Sequence, residues 1–158
     1  SVWPLIEEDI FLISARHAVK PSWPKALSLA QLQDHPLILP TGPHGLRSTL
    51  DAAFMRAKLT PLVVLEVDSL SMLMDAVRVG MGATLQPGSA VARQAHAAEF
   101  FHMAHITDHQ LKRSNCLCGL SDDELSPAAL AARVVISDCA RTLVQGGAWL
   151  GASLSPLA

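Results

Sequence analysis

The sequence has few cysteines, no excess of positive charge and no long apolar run. Its cysteines, Cys116, Cys118 and Cys139, are odd in number and form no disulfide framework, which favours a reducing, cytoplasmic setting. The formal net charge is −2 and the 12 Lys and Arg residues are scattered, so no basic patch is available to neutralise nucleic-acid phosphates. No apolar run reaches the ~20 residues of a membrane-spanning helix, so we expect no membrane partner.

Catalytic and targeting motifs are also missing. The chain has neither a G-x-S-x-G elbow nor a P-loop. The segment 80–82 has only two of the three glycines of a dinucleotide fingerprint and precedes a predicted strand, not a helix. The opening residues 1–4 do not resemble a signal peptide. We therefore expect no enzyme and no cofactor, and we interpret the missing initiator Met as a sign that the sequence is a fragment.

Strand and helix signals alternate along the 158 residues, of which 50% are hydrophobic and 16% are charged. This composition supports a buried core in one domain or one and a half. Alternating strands and amphipathic helices are typical of an α/β fold with a parallel or mixed sheet and helices on its faces. The predicted strands are 9–14, 36–40, 62–67, 83–86, 99–104 and 115–120.

Three longer helices are predicted from spacing and capping signals. One follows Gly45, because Leu46, Leu50 and Phe54 recur every four residues. A second begins after a Ser69 cap and stops at glycine 80. A third begins at the pair Ser126-Pro127, and its predicted apolar face consists of Leu125, Ala129, Ala132, Ile136, Cys139 and Leu143.

Two predicted strand-to-helix junctions, at 39–47 and 67–70, are candidate ligand sites. In open α/β sheets, ligands bind where strands end and helices begin, and helix N-termini favour anions. The same junctions could also be ordinary turns and caps, with Ser69 acting chiefly as a helix cap. The predicted effector-binding residues are Thr41, Gly42, Pro43, His44, Gly45 and Ser69.

Other polar groups have simpler interpretations. His102, His105 and His109 are unevenly spaced for one helix face, so we expect no metal site there. We expect Cys116 and Cys118 to point to opposite faces of a strand, so that they cannot easily chelate a metal together. A redox sensor is the alternative, and it would require an exposed thiol of low pKa. Cys139 is expected to lie in the core. The acidic run 7–9 is expected to be a solvated strand entrance.

Four segments, taken in order, resemble the effector-binding domain of LysR-type transcriptional regulators. Residues 4–13 resemble the family pattern P-L-x-e-E-x-l-x-l-v, and 29–38 are similar to its s-L-x-x-L-x-x-x-P-l-I run. Gly45-Leu46-Arg47, followed by Leu50 and Phe54, resembles the next helix. Residues 67–87 resemble the S…lV-x-x-G-x-G-i-x-x-l-P signature. The resemblance is close up to about residue 93 and loose beyond it.

The resemblance implies a two-lobe fold like that of type II periplasmic binding proteins, with the second lobe complete and the first partial. Residues 1–20 would end the first lobe, 21–120 would form the second, and 121–158 would return to the first. It also implies a small, anionic effector in a cleft between the lobes, and a dimer or tetramer of the intact protein. DNA would bind an N-terminal winged helix-turn-helix that has no counterpart here. The alternative is a solute-binding protein of a transport system; an enzyme of the same fold ranks below both.

Overall fold

A computed structural model describes residues 1–18, 24–108 and 111–157 of the chain. The described strands are β1 (Val2–Ala15), β2 (Ala26–Leu27), β3 (Pro36–Leu39), β4 (Leu62–Glu66), β5 (Thr84–Pro87), β6 (Phe101–Ile106), β7 (Lys112–Cys118) and β8 (Ala152–Leu154). The helices are α1 (Gly45–Arg56), α2 (Leu70–Arg78), α3 (Gly88–Ala92), α4 (Ala97–Phe100) and α5 (Pro127–Gln145). Short 3-10 turns occupy Arg16–Ala18 and Leu29–Leu32.

Strand β1 is the longest strand described and is shared by two sets of partners. Its second half pairs antiparallel with β5 and β6 through residues 10–15. Its first half pairs antiparallel with β7 through residues 2–9 and with β8 through residues 6–8. The sequence predicted only residues 9–14 as a strand, because the proline and acidic residues before them interrupt the apolar pattern in the first half of β1.

The second half of β1 belongs to a mixed sheet. Strands β3 and β4 are parallel, and a bridge between Leu37 and Ala83 places β3 beside the start of β5. Together with the pairing of β5, β1, β6 and β2, this gives the order β4-β3-β5-β1-β6-β2. The predicted mixed α/β architecture is therefore present, with β1 running against its neighbours β5 and β6.

Helices cover both faces of this sheet, which explains the nearly continuous apolar run in β1. Ile10 and Leu12 point into the core beneath α1, together with Leu50 and Phe54 of that helix. Phe11 and Ile13 point into a second core beneath α2 and α3. Because neighbouring residues of a strand face opposite sides, a strand covered on both faces needs apolar residues at the odd and at the even positions.

Local signals set the ends of the predicted helices. Ser69 caps α2 and Ser126 caps α5, each accepting a backbone N–H from the residue three positions on. Gly80 has φ +87°, and the N–H groups of Gly80 and Met81 donate to the carbonyls of Val77 and Ala76. This is a Schellman C-cap, whose left-handed residue is normally glycine.

Helix α5 differs from its prediction in burial. Of its described residues only Ala140 is buried, whereas Cys139 is exposed and Ile136 and Leu143 are each 45% exposed. The expectation that Cys139 lies in the core was therefore wrong. The predicted apolar face of α5 nonetheless turns partly toward the rest of the chain. Its residues Leu125, Ala129, Ala132 and Ile136 line an apolar groove against β7 and Trp3.

Two later strands are displaced from their predicted positions. Residue 99 belongs to α4, and β6 begins two residues later, at Phe101. Strand β7 begins at Lys112 and ends at Cys118, a shift of two to three residues toward the N-terminus from the predicted 115–120. The 3-10 turn at Arg16–Ala18 follows β1 directly, and residues 19–23 lie outside the described part of the chain.

Candidate functional site

Three helix N-termini meet one edge of the mixed sheet. Strands β3, β4 and β5 each lead within a few residues into α1, α2 and α3, respectively. Because the three strands run in the same direction, their carboxyl ends lie at the same edge. In open α/β sheets this is the edge where ligands bind. Five of the six predicted effector-binding residues lie in the loops at this edge, and Gly45 is the first residue of α1.

The loops after β3 and β4 are tied to each other by Thr41 and Asp68. The Thr41 hydroxyl donates to the Asp68 carboxylate (2.8 Å to Oδ2), and the Thr41 backbone N–H donates to it at 2.9 Å. These bonds from Thr41 lower the pKa of Asp68 below its ordinary value of 3.8. The hydroxyl that the sequence analysis assigned to an effector is thus already engaged with a carboxylate.

The other predicted residues shape the same loops. His44 caps α1, because its side-chain Nδ1 accepts the Leu46 N–H at 3.2 Å. The backbone N–H of His44 donates to the Thr41 carbonyl. Ser69 caps α2 by accepting the Met72 N–H at 3.5 Å. Gly42 and Pro43 are exposed in the loop and Gly45 is exposed at the first position of α1, with no contact in the structure that assigns them a ligand role.

A cavity of about 360 Å³ opens at this edge, beside the end of β5. None of the six predicted residues lines it, although Leu70, the residue after Ser69, does. The cavity lies where the first half of β1, paired with β7, extends beyond the mixed sheet. Its lining residues are Glu8, Leu70, Gln86, Pro87, Ser89, Ala90, Arg93, Arg113, Asn115 and Trp149.

Glu8 is buried at the wall of this cavity, only 3% exposed. Its carboxylate accepts hydrogen bonds from the Asn115 amide (2.7 Å), the Trp149 indole N–H (2.9 Å) and the Ser89 hydroxyl (3.3 Å). The expected solvated acidic run was therefore wrong at its middle residue. The sequence does contain a sign that Glu8 is buried. Glu8 lies two residues from Ile6 and from Ile10, so it is on the same face of the strand as these two buried residues.

Gln86 is a polar residue whose side chain lines the cavity. The residue is 5% exposed, and its side-chain amide forms no hydrogen bond with any described residue. Arg93 and Arg113 also line the cavity, and within the described ranges neither forms an ion pair or a side-chain hydrogen bond. A buried carboxamide normally has partners, so an open one beside two guanidinium groups is suited to a polar or anionic ligand.

The histidine candidates do not come together. His102 is half-buried and His105 is exposed on β6, and His109 lies outside the described residues. Burial, followed by the charges of Arg16 and Lys25, lowers the pKa of His102. Among residues 1–18, 24–108 and 111–157, no group of three or more His, Cys, Asp and Glu residues could hold a metal ion.

The expectation for the cysteine pair was wrong. Cys116 and Cys118 lie on the same exposed face of β7, with their Sγ atoms 3.8 Å apart. Residues two apart on a strand share a face, so this spacing brings the thiols together. Separately, no described helix is long and apolar enough to cross a membrane.

The architecture and the cavity at the carboxyl edge define a ligand-binding α/β domain of the type II periplasmic-binding-protein-like kind. Comparison with known families agrees, since the model of the LysR substrate binding domain matches residues 2–138. The chain therefore belongs to the LysR substrate-binding domain family, the effector-sensing part of LysR-type transcriptional regulators.

Similar proteins include regulators of known structure. The chain is 29% identical over 133 residues to the nitrogen assimilation regulatory protein nac of Klebsiella aerogenes; the match covers 84% of this chain and 42% of that protein. The effector binding domain of QuiR in complex with shikimate superposes with a TM-score of 0.73, at 19% identity over 90% of this chain and 66% of that one. Full-length CbnR complexed with its target DNA superposes with a TM-score of 0.69, at 19% identity over 89% of this chain and 47% of that one.

Proposed function

We propose that the cavity lined by Glu8 and Gln86 is the effector site of this LysR-type domain. The observation that carries the proposal is Gln86, a residue only 5% exposed whose side-chain amide lines the cavity and has no hydrogen-bonding partner among the described residues. A ligand that displaces water from this amide without pairing with it would lose about 1–3 kcal/mol, so a ligand that pairs with it gains selectivity. The volume, about 360 Å³, suits a small metabolite.

The effector is a small polar anion, such as a hydroxylated carboxylate or a phosphate ester. Arg93 and Arg113 supply positive charge at the cavity, and Gln86 supplies both a donor and an acceptor. The predicted loop residues Thr41 to Gly45, together with Ser69, would form the rim at the same edge. Asp68 disfavours an anion immediately beside Thr41, and Glu8 disfavours one beside its own carboxylate, which is why we place the charged group between Arg93 and Arg113.

The mechanism is a shift between conformations. A ligand that binds one arrangement of the domain more tightly than another biases the equilibrium by that difference in affinity. In the intact regulator, a dimer or tetramer in the cytoplasm would pass this bias to an N-terminal DNA-binding domain. The domain would sense and not catalyse, and its family membership supports a regulator over a transport component.

Ligand binding can be measured by thermal unfolding of the chain with a panel of small carboxylates and phosphates, starting with shikimate. A ligand present at 100 times its Kd stabilises by about 2.7 kcal/mol, which raises Tm by several degrees in a domain of this size. We expect Gln86→Leu to weaken the best panel ligand by roughly tenfold or more, because it removes the buried amide.

The matched control is Gln145→Leu, the same change at an exposed residue near the end of α5. It should leave ligand affinity unchanged. If no panel compound raises Tm, the assignment of a small anion is wrong. If a compound binds the Gln86→Leu variant as tightly as the original chain, the site lies elsewhere on the domain.

A further inference from the structure

A pair of thiols on β7 stands apart from the effector cavity. Cys116 and Cys118 are both exposed, and the thiols are in contact at 3.8 Å between the Sγ atoms. The third cysteine, Cys139, lies on α5 and is exposed without such a neighbour among the described residues. The chain thus carries a dithiol and a single thiol that serves as its internal comparison.

The strand geometry allows the pair to close into a disulfide, with some strain. Residues two apart on a strand have Cα atoms about 6.4–6.8 Å apart, from a rise of 3.2–3.4 Å per residue. Disulfides usually span 4.4–6.8 Å between Cα atoms, so this pair lies at the upper limit. A strained, exposed disulfide is more easily reduced than a relaxed one, which makes the change reversible.

The partner strand gives β7 room to adjust at this point. Cys116 lies opposite Pro4, and the register between β1 and β7 shifts between Pro4 and Ile6. Proline has no backbone N–H, so it donates no ladder hydrogen bond at this pair. A small pucker of β7 at Cys116 therefore disrupts fewer hydrogen bonds than it would in a regular ladder.

We propose that Cys116 and Cys118 form a redox-active pair that closes to an intrachain disulfide on reaction with a small-molecule disulfide such as oxidised glutathione. The first protein thiolate attacks the oxidant, which yields a mixed disulfide and one released thiol. The second protein sulfur then attacks the mixed disulfide and displaces the second thiol. The two protein thiols give up two electrons and two protons, and the disulfide of the oxidant is reduced to two thiols.

Either thiol can attack first and the other then closes the ring, because the two Sγ atoms are in contact and either can donate the hydrogen bond between them. This hydrogen bond raises the pKa of the Cys116 thiol. Cys118 also lines the apolar groove beneath α5, so oxidation changes the strand at the wall of that groove.

The test uses the whole chain carrying Cys139→Ser, reduced and then equilibrated in dilute glutathione buffers of graded oxidation. Acid quenching, alkylation of free thiols and mass spectrometry of the peptide that contains both cysteines give the species present. We expect the closed disulfide to exceed the single-glutathione adduct by roughly tenfold, because the second thiol acts at a high effective concentration. Reduced glutathione should reopen it.

Single variants separate the two steps. Cys116→Ser should stop at a glutathione adduct on Cys118, and Cys118→Ser should stop at an adduct on Cys116. The double variant Cys116→Ser/Cys118→Ser, with Cys139 retained, reports an isolated exposed thiol and should show only an adduct. The proposal is overturned if the Cys139→Ser chain accumulates two glutathione adducts or disulfide-linked dimers in place of the intrachain bond.

Discussion

At the scale of single residues, Glu8 shows how hydrogen bonds hold a buried carboxyl group in place. Within the described residues it has no ion-pair partner, and three neutral donors from distant parts of the chain surround it. Leaving a buried polar group without one of its partners costs about 1–3 kcal/mol. The cluster therefore fixes the position of β1 relative to α3, β7 and the segment after α5.

This arrangement predicts a specific cost for Trp149→Phe. The variant keeps an aromatic ring but removes the indole N–H that donates to Glu8 at 2.9 Å. We expect the free energy of unfolding to fall by about 1–3 kcal/mol, measured by urea denaturation followed with circular dichroism.

Trp3→Phe is the matched control for that substitution. Trp3 is 41% exposed, and Arg133 stacks on its ring with the guanidinium carbon 4.3 Å from the ring centroid, a contact that phenylalanine preserves. Its effect should stay within about 0.5 kcal/mol. Equal losses in the two variants would show that ring size, and not the hydrogen bond to Glu8, sets the cost.

At the scale of elements, α5 depends on its own sequence more than on tertiary packing. The helix spans 19 residues, yet among those described only Ala140 is buried. Its N-cap is correspondingly important, since Ser126 accepts the Ala129 N–H at 3.2 Å and proline follows at the first helical position.

We expect Ser126→Ala to destabilise α5 by about 1 kcal/mol, because a backbone N–H at the first turn loses its acceptor. Ser137→Ala in the same helix is the contrast. The Ser137 hydroxyl donates to the Arg133 carbonyl within the helix, so alanine there should be neutral or slightly stabilising. Helical circular dichroism during urea titration measures both. A similar loss at both positions would argue against a capping role.

The same contrast between local and long-range forces explains what the sequence could predict. Helices α1 and α2 follow from apolar spacing, caps and Gly80, which are all encoded within a few residues of each other. The first half of β1 does not, because its strand character depends on β7 and β8, which lie more than a hundred residues further along the chain.

The six predicted effector-binding residues stay a prediction, and none of them lines the candidate cavity. The edge formed by the loops after β3 and β4 could be predicted from strand-to-helix junctions, which are local features. The Glu8 cluster was missed because its donors lie 81, 107 and 141 positions away. Gln86 was read as the end of a strand, and only the tertiary structure shows that its amide is buried beside a cavity.

At the scale of the whole molecule, β1 joins two regions that differ in burial. Its second half is surrounded by the two cores on either side of the mixed sheet, where Ile13, Leu12 and Leu85 are at most 1% exposed. Its first half pairs with β7 and β8, and the α5 helix that lies alongside is largely exposed. A ligand in the cavity at Glu8 and Gln86 contacts both regions, because the lining includes residues of β5 and of β7.

This division predicts unequal resistance to opening, which native-state hydrogen exchange measures residue by residue. We expect the backbone amides of Leu12 and Leu85 to exchange only through global unfolding, with the full denaturant dependence, because their surroundings are buried on both faces. Amides in the middle of α5 should exchange through a smaller opening with a lower free energy and a shallower dependence on urea. If α5 amides showed the same free energy and slope as those of β1, the molecule would unfold as one cooperative unit, and a ligand at the cavity could not change the order of α5 independently of the sheet.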